Sequence, residues 1–331
     1  MKGAPFTLHP SILTAMKKLD AVVVGELNVD LILDQIQGLP ELGKEKIAGA
    51  MTLTLGSSSA IFASNLSALD ARVGFIGKLG EDAFGDLVIS SLQRRGVAVE
   101  RIIVQKKIGT GATVVINDAR DRAMLTYKGA MDDLRLADID WDYAQTARHF
   151  HLSSYFLQSG LKPDCAELFE RAKALGLSTS LDTNWDPEEK WNRALFEVLP
   201  HVDIFLPNAE EALRISGCET IEAALEILAQ HTKTVVIKLG KNGALAKQGG
   251  VIVNTKGYEV KPVDAVGAGD SFDAGFIFKW LRGGDLRQCL EFGNMCGALS
   301  VTQAGGTAAF TTPEKILRHF KDYFGFREDT L

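Results

Sequence analysis

The sequence lacks the features that mark membrane-spanning, secreted and metal-stapled proteins. No stretch of eighteen apolar residues is present, so no ordinary transmembrane helix is predicted. The four cysteines are widely spaced and form no CxxC pair, which predicts reduced thiols and no disulfide framework. The N-terminal residues have neither an uninterrupted apolar core nor a small-residue cleavage site. We therefore expect a cytoplasmic protein in which residues 1–19 form an extension, with a short amphipathic helix at Ser11–Lys18.

Concentrated positive charge is also missing. The net charge is −6 and no cluster of five Lys or Arg occurs, which argues against nucleic acid or an anionic membrane as a partner. A GxxxxGK[ST] loop is absent, and no GxGxxG follows the first apolar run, so P-loop enzymes and dehydrogenases are disfavoured. His149 and His151 have no third ligand nearby in the sequence and are interpreted as structural.

Short apolar runs separated by helical periods are what the chain does contain. Within 331 residues, runs typical of strands buried on both faces of a parallel sheet lie at Ala21–Gly25, Val73–Gly77, Ser178–Asp182, Asp203–Asn208 and Thr234–Gly240. Helical periods between and after these runs lie at 59–69, 84–95, 166–175, 221–230 and 272–281. The alternation predicts an α/β fold: a doubly wound, mostly parallel sheet flanked by helices.

Two segments break this alternation. Lys44–Leu55 and Ile102–Tyr127 alternate apolar and polar residues, with a hairpin turn near Asp118–Asp121. We predict a small discontinuous β-sheet, built from excursions at approximately 34–56 and 98–130, that projects from a domain spanning 20–331. A small sheet at the edge of an α/β body is suited to cover a ligand cleft as a lid.

The stretch DAVGAGDSFDAGF, from Asp264 to Phe276, is the most informative. It predicts an extended segment that ends at Asp264, a glycine turn, and a helix from Ser271 onward. Bare amides at a helix start bind anions, and the dipole there favours an ionised Asp270. Such a carboxylate can accept an alcohol proton while the amides hold a phosphoryl group, which predicts phosphoryl transfer. The alternative is an N-terminal helix acid without chemistry.

The longer stretch VDAVGAGDSFDAGF resembles the C-terminal signature of the ribokinase-like (PfkB) carbohydrate kinases, and the resemblance covers nearly the whole chain after about residue 20. It implies ATP-dependent phosphorylation of a primary hydroxyl of a small sugar, as in fructokinases and ribokinases. Asp270 would be the base, and Gly267, Ala268 and Gly269 would form the anion hole. The resemblance also implies ATP and Mg²⁺ as cofactors and a homodimer formed through the β lid.

Other segments match family motifs separately. GELNVD at Gly25–Asp30 and the LGSSS segment imply sugar-binding roles for Asn28, Asp30, Gly56 and Ser57. The ATP side, including water-mediated Mg²⁺ at the NxxE motif, would be formed by Asn208, Glu211, Lys238, Gly240, Gly243 and Asn294. The family's monovalent cation, such as K⁺, would be held by Asp264, Val266, Val301, Ala304 and Gly306.

Three departures from the family pattern bear on the substrate. Ser57 replaces the second glycine of a GG pair, and Ile61 stands where an Asn is expected. The DxN motif that ends at Asn184 is followed by Asp186, where related sequences often have an Arg. A sugar acid would require a cation at that position, so a neutral ketose or similar sugar is favoured. Trp185 and Trp191 could stack on a sugar or pack within the protein.

Two further functions remain open. One is a nucleoside kinase of the adenosine type, although GELNVD resembles the sugar kinases more. The other is a non-catalytic ribokinase-like protein that only binds a ligand, against which the intact GAGD and the paired Asn208 and Glu211 argue.

Overall fold

The apolar runs form strands, as the sequence predicts. The computed structural model describes residues 17–38, 40–118, 122–191 and 193–326, and the predicted helix at Ser11–Lys18 lies almost wholly outside them. The strands are β1 (Leu19–Val24), β2 (Asn28–Ile36), β3 (Ala50–Leu55), β4 (Val73–Gly80), β5 (Ala98–Gln105), β6 (Gly111–Asp118), β7 (Arg122–Tyr127), β8 (Ala147–Leu152), β9 (Ser178–Leu181), β10 (Ile204–Phe205), β11 (Thr234–Lys238), β12 (Ala244–Gln248) and β13 (Val251–Thr255).

Nine of these strands form the main sheet, in the order β13-β12-β11-β10-β9-β8-β1-β4-β5. The seven from β11 to β5 are parallel to one another, whereas β12 and β13 are added antiparallel at one edge. The predicted doubly wound, mostly parallel sheet is therefore confirmed. Since carboxyl ends of parallel strands share one edge, the loops that follow β1, β9 and β10 come together there.

Helices cover both faces of this sheet and bury one apolar core on each. They are α1 (Ser58–Ala68), α2 (Ala83–Arg94), α3 (Trp141–Ala144), α4 (Cys165–Ala174), α5 (Leu195–Val198), α6 (Ala209–Ser216), α7 (Ile221–Leu228), α8 (Ala268–Leu281), α9 (Leu286–Ser300) and α10 (Pro313–Phe324). Short 3₁₀ turns lie at Gly129–Asp133, Leu136–Asp138, Tyr155–Leu157, Lys162–Asp164, Leu199–His201 and Gly240–Asn242. Within the described ranges, no helix is long and apolar enough to cross a membrane.

Close packing against α9 fixes the position of α8. A Cβ added at Gly275 would lie 2.5 Å from Sγ of Cys296, so only glycine allows the two helices to approach this far. On α8, Phe272, Phe276 and Trp280 stack in sequence, as their four-residue spacing predicts. This packing holds the amino end of α8 at the carboxyl edge of the sheet.

The remaining strands form the predicted small sheet, in the order β3-β2-β6-β7. Its outer pairs are antiparallel, and β2 pairs with β6 in parallel. The boundaries differ from the predicted excursions, because the small sheet begins at Asn28 and again at Gly111. The segment 98–105 instead forms β5 at the edge of the main sheet, where all its side chains are partly or fully exposed. Residues 44–49 form no strand.

Candidate active site

A cleft of about 1210 Å³ lies between the carboxyl edge of the main sheet and the inner face of the small sheet. Most residues predicted to be functional line it: Asn28, Asp30, Ser57, Asn208, Glu211, Lys238, Gly240, Gly243, Val266, Gly267, Ala268, Gly269, Asp270, Asn294 and Val301. Gly56, Asp264, Ala304 and Gly306 lie outside the lining. The cleft thus brings together residues from both ends of the chain.

The first turn of α8 presents backbone amides to this cleft. The helix begins at Ala268, three residues earlier than the sequence predicts, because Gly267 adopts a φ of 73° and serves as its N-cap. Among the described residues, the amides of Gly267, Gly269 and Asp270 have no hydrogen-bond acceptor. Ala268 N has only a long contact, 3.4 Å, to the carbonyl of Ala265. Unpaired amides at a helix start fit an anionic phosphoryl group.

Asp270 lies in this first turn and is buried. The sequence predicts a carboxylate that the helix dipole keeps ionised, but the structure shows a stronger opposing effect. Burial and the nearby Asp182 raise the pKa of Asp270 to about 7, while Lys238 and a hydrogen bond from Ser58 lower it. A carboxyl group with a pKa near neutrality is suited to accept and release a proton.

Lys238 is the cation beneath this turn. Its Nζ lies 2.9 Å from Oδ2 of Asp273 and 3.4 Å from Oδ2 of Asp182, and all three side chains are buried. Burial opposes the charge on Lys238, yet the neighbouring Asp182 and Asp273 outweigh it and raise its pKa. The sequence assigned Lys238 to a nucleotide loop; the structure places it last in β11, below Gly269. Asp273 was missed, although it lies three residues after Asp270 on one helix.

The inner face of the small sheet forms one wall of the cleft. Asn28 and Asp30 project in the same direction from β2, as their spacing predicts, and both line the cleft. Asn28 Nδ2 donates to Oγ1 of Thr113 at 2.9 Å, whereas its buried Oδ1 has no partner among the described residues. Gly56 packs so closely against Asn28 and Asp30 that a Cβ there would overlap Asp30. The glycine therefore leaves room for these two side chains.

Glu26 is a buried acid of the cleft that the sequence analysis did not single out. It is buried at the end of β1, lines the cleft and accepts hydrogen bonds from the amide of Ser59, at 3.1 Å, and Oγ of Ser154, at 2.9 Å. Burial raises its pKa, although these donors work against that rise. The available signal was its place in GELNVD, two residues before Asn28 and four before Asp30.

Ser57 has a left-handed backbone conformation, although it is not a glycine. Its φ is 69°, a value that favours glycine. The hydroxyl offsets this strain, because it donates to the carbonyl of Glu26 at 2.6 Å and accepts from the amide of Ala60 at 2.9 Å, which caps α1. With these hydrogen bonds, a serine can occupy the position at which the family pattern has a glycine.

The other two departures have clear structural roles. Ile61 lines the cleft and packs on the turn below it: a Cβ at Gly306 would lie 2.7 Å from its Cδ1. Asp186 accepts hydrogen bonds from the amides of Glu188, Lys190 and Trp191 at 2.8–3.0 Å, so it organises its own loop. Trp185 lines the cleft, whereas Trp191 packs edge-on against Phe156 and Trp185.

Other residues predicted for ATP lie in the same cleft, and Asn208 pairs through its backbone with Lys238. Asn208 and Glu211 form a reciprocal capping box at the start of α6, with Asn208 Nδ2 also donating to Glu211 at 2.6 Å. Burial and the charge of Asp182 raise the pKa of Glu211 to about 7. Asn294 Nδ2 donates to Oγ1 of Thr255 at 2.9 Å and so joins α9 to β13. A carboxylate and unpaired amides that line one cleft fit Mg²⁺ on a polyphosphate.

The predicted cation ligands lie in two adjoining loops, but several of their oxygens are already engaged. Asp264 accepts from the amides of Val266 and Gly305 at 2.9 Å each. The carbonyl of Val301 accepts from the amide of Val263 at 2.7 Å, and that of Gly306 accepts from Asn65 at 2.9 Å. The monovalent cation therefore stays a prediction.

His149 and His151 have the structural role that was expected. Both are fully buried on β8. Nε2 of His149 and Nδ1 of His151 each lie 2.7 Å from Oγ of Ser180 and form hydrogen bonds with it. Burial lowers the pKa of His149 to about 3, so it is neutral. Across the described ranges, no group of three or more His, Cys, Asp or Glu side chains is arranged to hold a metal ion.

Comparison with known proteins identifies the family. The model of the pfkB family carbohydrate kinases matches residues 18–313. The chain belongs to this family. The match spans both sheets and every element that lines the cleft.

Individual relatives are consistent with this assignment. The chain is 30% identical over 240 residues to an uncharacterised sugar kinase of Archaeoglobus fulgidus, covering 72% of this chain and 95% of that protein. It is also 30% identical to an ATP-dependent ribose-1-phosphate kinase of Halopiger xanaduensis, with 87% and 93% covered. A structure described as E. coli ribokinase II with ATP and Mg²⁺ superposes with a TM-score of 0.81 at 26% identity, covering 92% and 99%. The ribokinase-like fold is thereby confirmed.

The raised pKa of Asp270 predicts a specific pH dependence. Only the deprotonated carboxylate can accept a proton, so kcat/KM for phosphoryl transfer should fall as the pH decreases through about 7. Asp182→Asn should move this acid limb to lower pH, because it removes a charge that raises the pKa of Asp270. A pH profile of the wild type and this variant measures both. A limb near pH 4 in the wild type would contradict the prediction.

Proposed function

We propose that this protein transfers the γ-phosphoryl group of ATP to a primary hydroxyl of a small, uncharged sugar. One observation carries the proposal: the buried Asp270 shares the first turn of α8 with the unpaired amides of Gly267 and Gly269, inside a cleft. Asn28 and Asp30 line the same cleft from the small sheet, which we assign as the side that binds the sugar acceptor. A base, an anion hole and a polyol site are thus next to one another.

The chemistry follows from this arrangement. The acceptor hydroxyl loses its proton to Asp270 as its oxygen forms a bond to the γ-phosphorus, and the bond to the β-phosphate oxygen breaks to leave ADP. The amides of Gly267, Ala268 and Gly269 stabilise the charge on the transferring group. The Lys238 ammonium beneath Gly269 adds positive potential. Bound Mg²⁺, for which Asn208 and Glu211 are the candidate residues, would neutralise phosphate charge. The small sheet would exclude water.

The carboxylates that line the cleft favour a neutral acceptor. Glu26, Asp30, Asp182 and Asp270 all line the cleft, and the unpartnered Oδ1 of Asn28 adds another acceptor. The lysines of the described lining are Lys238, which two carboxylates already surround, and Lys241, in the turn after β11. Hydroxyl groups can donate to these oxygens, whereas a carboxylate or phosphate on the acceptor would be repelled.

A nucleoside acceptor is the second candidate. Val115, Met124, Leu157 and Trp185 line the cleft and give it an apolar portion. Such a surface could receive a base while Asn28 and Asp30 held the ribose. The polar residues Asn28 and Asp30 favour a sugar over a nucleoside, so we rank the sugar first.

A panel of acceptors tests this proposal. With Mg·ATP, at least one neutral sugar among fructose, ribose and tagatose should give kcat/KM about 10²-fold or more above 2-keto-3-deoxygluconate and ribose 1-phosphate. Coupled detection of ADP measures each rate. Asp30→Asn should raise the KM for the neutral sugar while leaving the KM for ATP nearly unchanged.

Two outcomes would change the assignment. Preferred use of either anionic sugar would contradict the neutral acceptor, and preferred use of adenosine would replace it with the nucleoside. Absence of transfer to every acceptor, with ATP still bound, would favour a ligand-binding protein.

We also propose that the outer face of the small sheet pairs two copies of this chain. Met51, Leu53, Leu125 and Tyr127 project from this face and are 41–67% exposed. Their strands place them on the side opposite Asn28, Asp30 and Thr113, which face the cleft. An apolar sheet face exposed to this extent is typical of an interaction surface.

This pairing predicts that the protein is a dimer in solution. A charged side chain introduced on the outer face should separate the two copies. Light scattering at about 10–50 µM should give twice the chain mass for the wild type, and the mass of one chain for Leu125→Lys. The control Val251→Lys changes an exposed apolar residue on β13, outside this face, and should stay dimeric. A monomeric wild type would contradict the proposal.

A further inference from the structure

Asn65 is a polar residue in a place that favours an apolar one. It lies in α1, which is buried along nearly its whole length, and its side chain has no solvent exposure. Its Oδ1 has no hydrogen-bond partner among the described residues. A buried acceptor without a partner lowers stability, and Asn is a weak helix former. The residue is therefore not explained by the stability of α1.

The two protons on Nδ2 of Asn65 are both used. One is donated to Oγ of Ser271 at 2.9 Å, and the other to the carbonyl of Gly306 at 2.9 Å. Ser271 donates in turn to the carbonyl of Gly267 at 2.6 Å. A single side chain on α1 thus connects the first turn of α8 with the loop at Gly306.

Gly267 and Gly306 are in direct contact at this point. A Cβ at Gly267 would overlap Cα of Gly306, so the two backbones touch. Ile61, one turn before Asn65 on α1, packs on both glycines. The same face of α1 therefore packs Ile61 on the contact between the two glycines and places one hydrogen bond from Asn65 on each side of it, at Ser271 and at Gly306.

We propose that Asn65 is a positioning residue that fixes the anion-hole turn for phosphoryl transfer. The inference rests on the proposed function, because it assigns the turn of Gly267 to the transferring group. Since Asn65 touches the turn from below and does not line the cleft, it acts through Ser271 and Gly267. Loss of its donors lets the amides depart from the geometry that the transition state requires.

Two variants and a matched control test the proposal. Asn65→Ala removes both donors, and Ser271→Ala removes only the hydroxyl between Asn65 and Gly267. Ser64→Ala is the control, because Ser64 is the neighbouring buried residue of α1 and its hydroxyl has no partner within the described structure. We expect kcat to fall about 10- to 100-fold in both variants, with KM for ATP and for the acceptor within about threefold. In the double variant the two effects should not add.

Hydrogen exchange of the free protein supplies a readout that does not depend on activity. The hydrogen-bonded amides beside the partners of Asn65 are those of Ser271, which donates to the carbonyl of Gly267 at 2.9 Å, and Gly305, which donates to Asp264 at 2.9 Å. They should exchange at least about tenfold faster in Asn65→Ala, while β1, β4 and β8 stay protected as in the wild type. If exchange at these two amides matches the wild type, the proposal is wrong. Unchanged kcat, or a raised KM alone, would also overturn it. A wild type without transfer to any acceptor would sink the proposed function, and exchange would still decide the role of Asn65.

Discussion

The site depends on one constraint: the amino end of α8 is held in a fixed position at the carboxyl edge of the main sheet. A base and a set of unpaired amides must be held together, away from water, at the end of a helix. Gly275 allows α8 to pack against α9, the Lys238–Asp273 pair lies beneath the first turn, and Ile61 and Asn65 support that turn from α1. Any shift of the helix would move the base and the amides together.

Charge balance is the second constraint, and it follows from the first. Asp182, Asp270, Asp273 and Glu211 surround one ammonium group, that of Lys238. Four buried carboxylates cannot all ionise around a single cation, so some are held with raised pKa values. The same low-dielectric surroundings that make Asp270 a useful base also make the cluster dependent on Lys238.

Much of the fold could be predicted from the sequence, because the buried strands of a parallel sheet have continuous apolar sequences. The strands β1, β4, β9 and β11 and the helix α8 were found in this way, and Asp270 with its amides followed from local glycine chemistry. The edge strand β5 was misassigned, since its partly exposed side chains give it the mixed polar and apolar sequence of a strand outside the core. Local pattern alone does not separate two edge strands.

Residues that act through distant contacts were not predictable. Glu26 and Asn65 make their contacts only because other segments are folded against them: Ser59 and Ser154 for the first, Ser271 and Gly306 for the second. The pKa of Asp270 was predicted in the wrong direction, because the helix dipole is visible in the sequence and burial is not. Asp186 and Ser57 showed the opposite case, in which unusual residues accept hydrogen bonds from nearby backbone amides, those of Glu188 and Ala60 respectively.

The most direct test of the account separates binding from transfer at Asp270. Asp270→Asn keeps the shape of the turn and its amides but removes the base. Calorimetry should give a Kd for Mg·ATP within about threefold of the wild type, while single-turnover transfer to the preferred sugar falls by about 10³-fold or more. Asp86→Asn, at an exposed acid in the first turn of α2, is the matched control and should change neither quantity. Transfer by Asp270→Asn at more than about a tenth of the wild-type rate would contradict the assignment of Asp270 as the base.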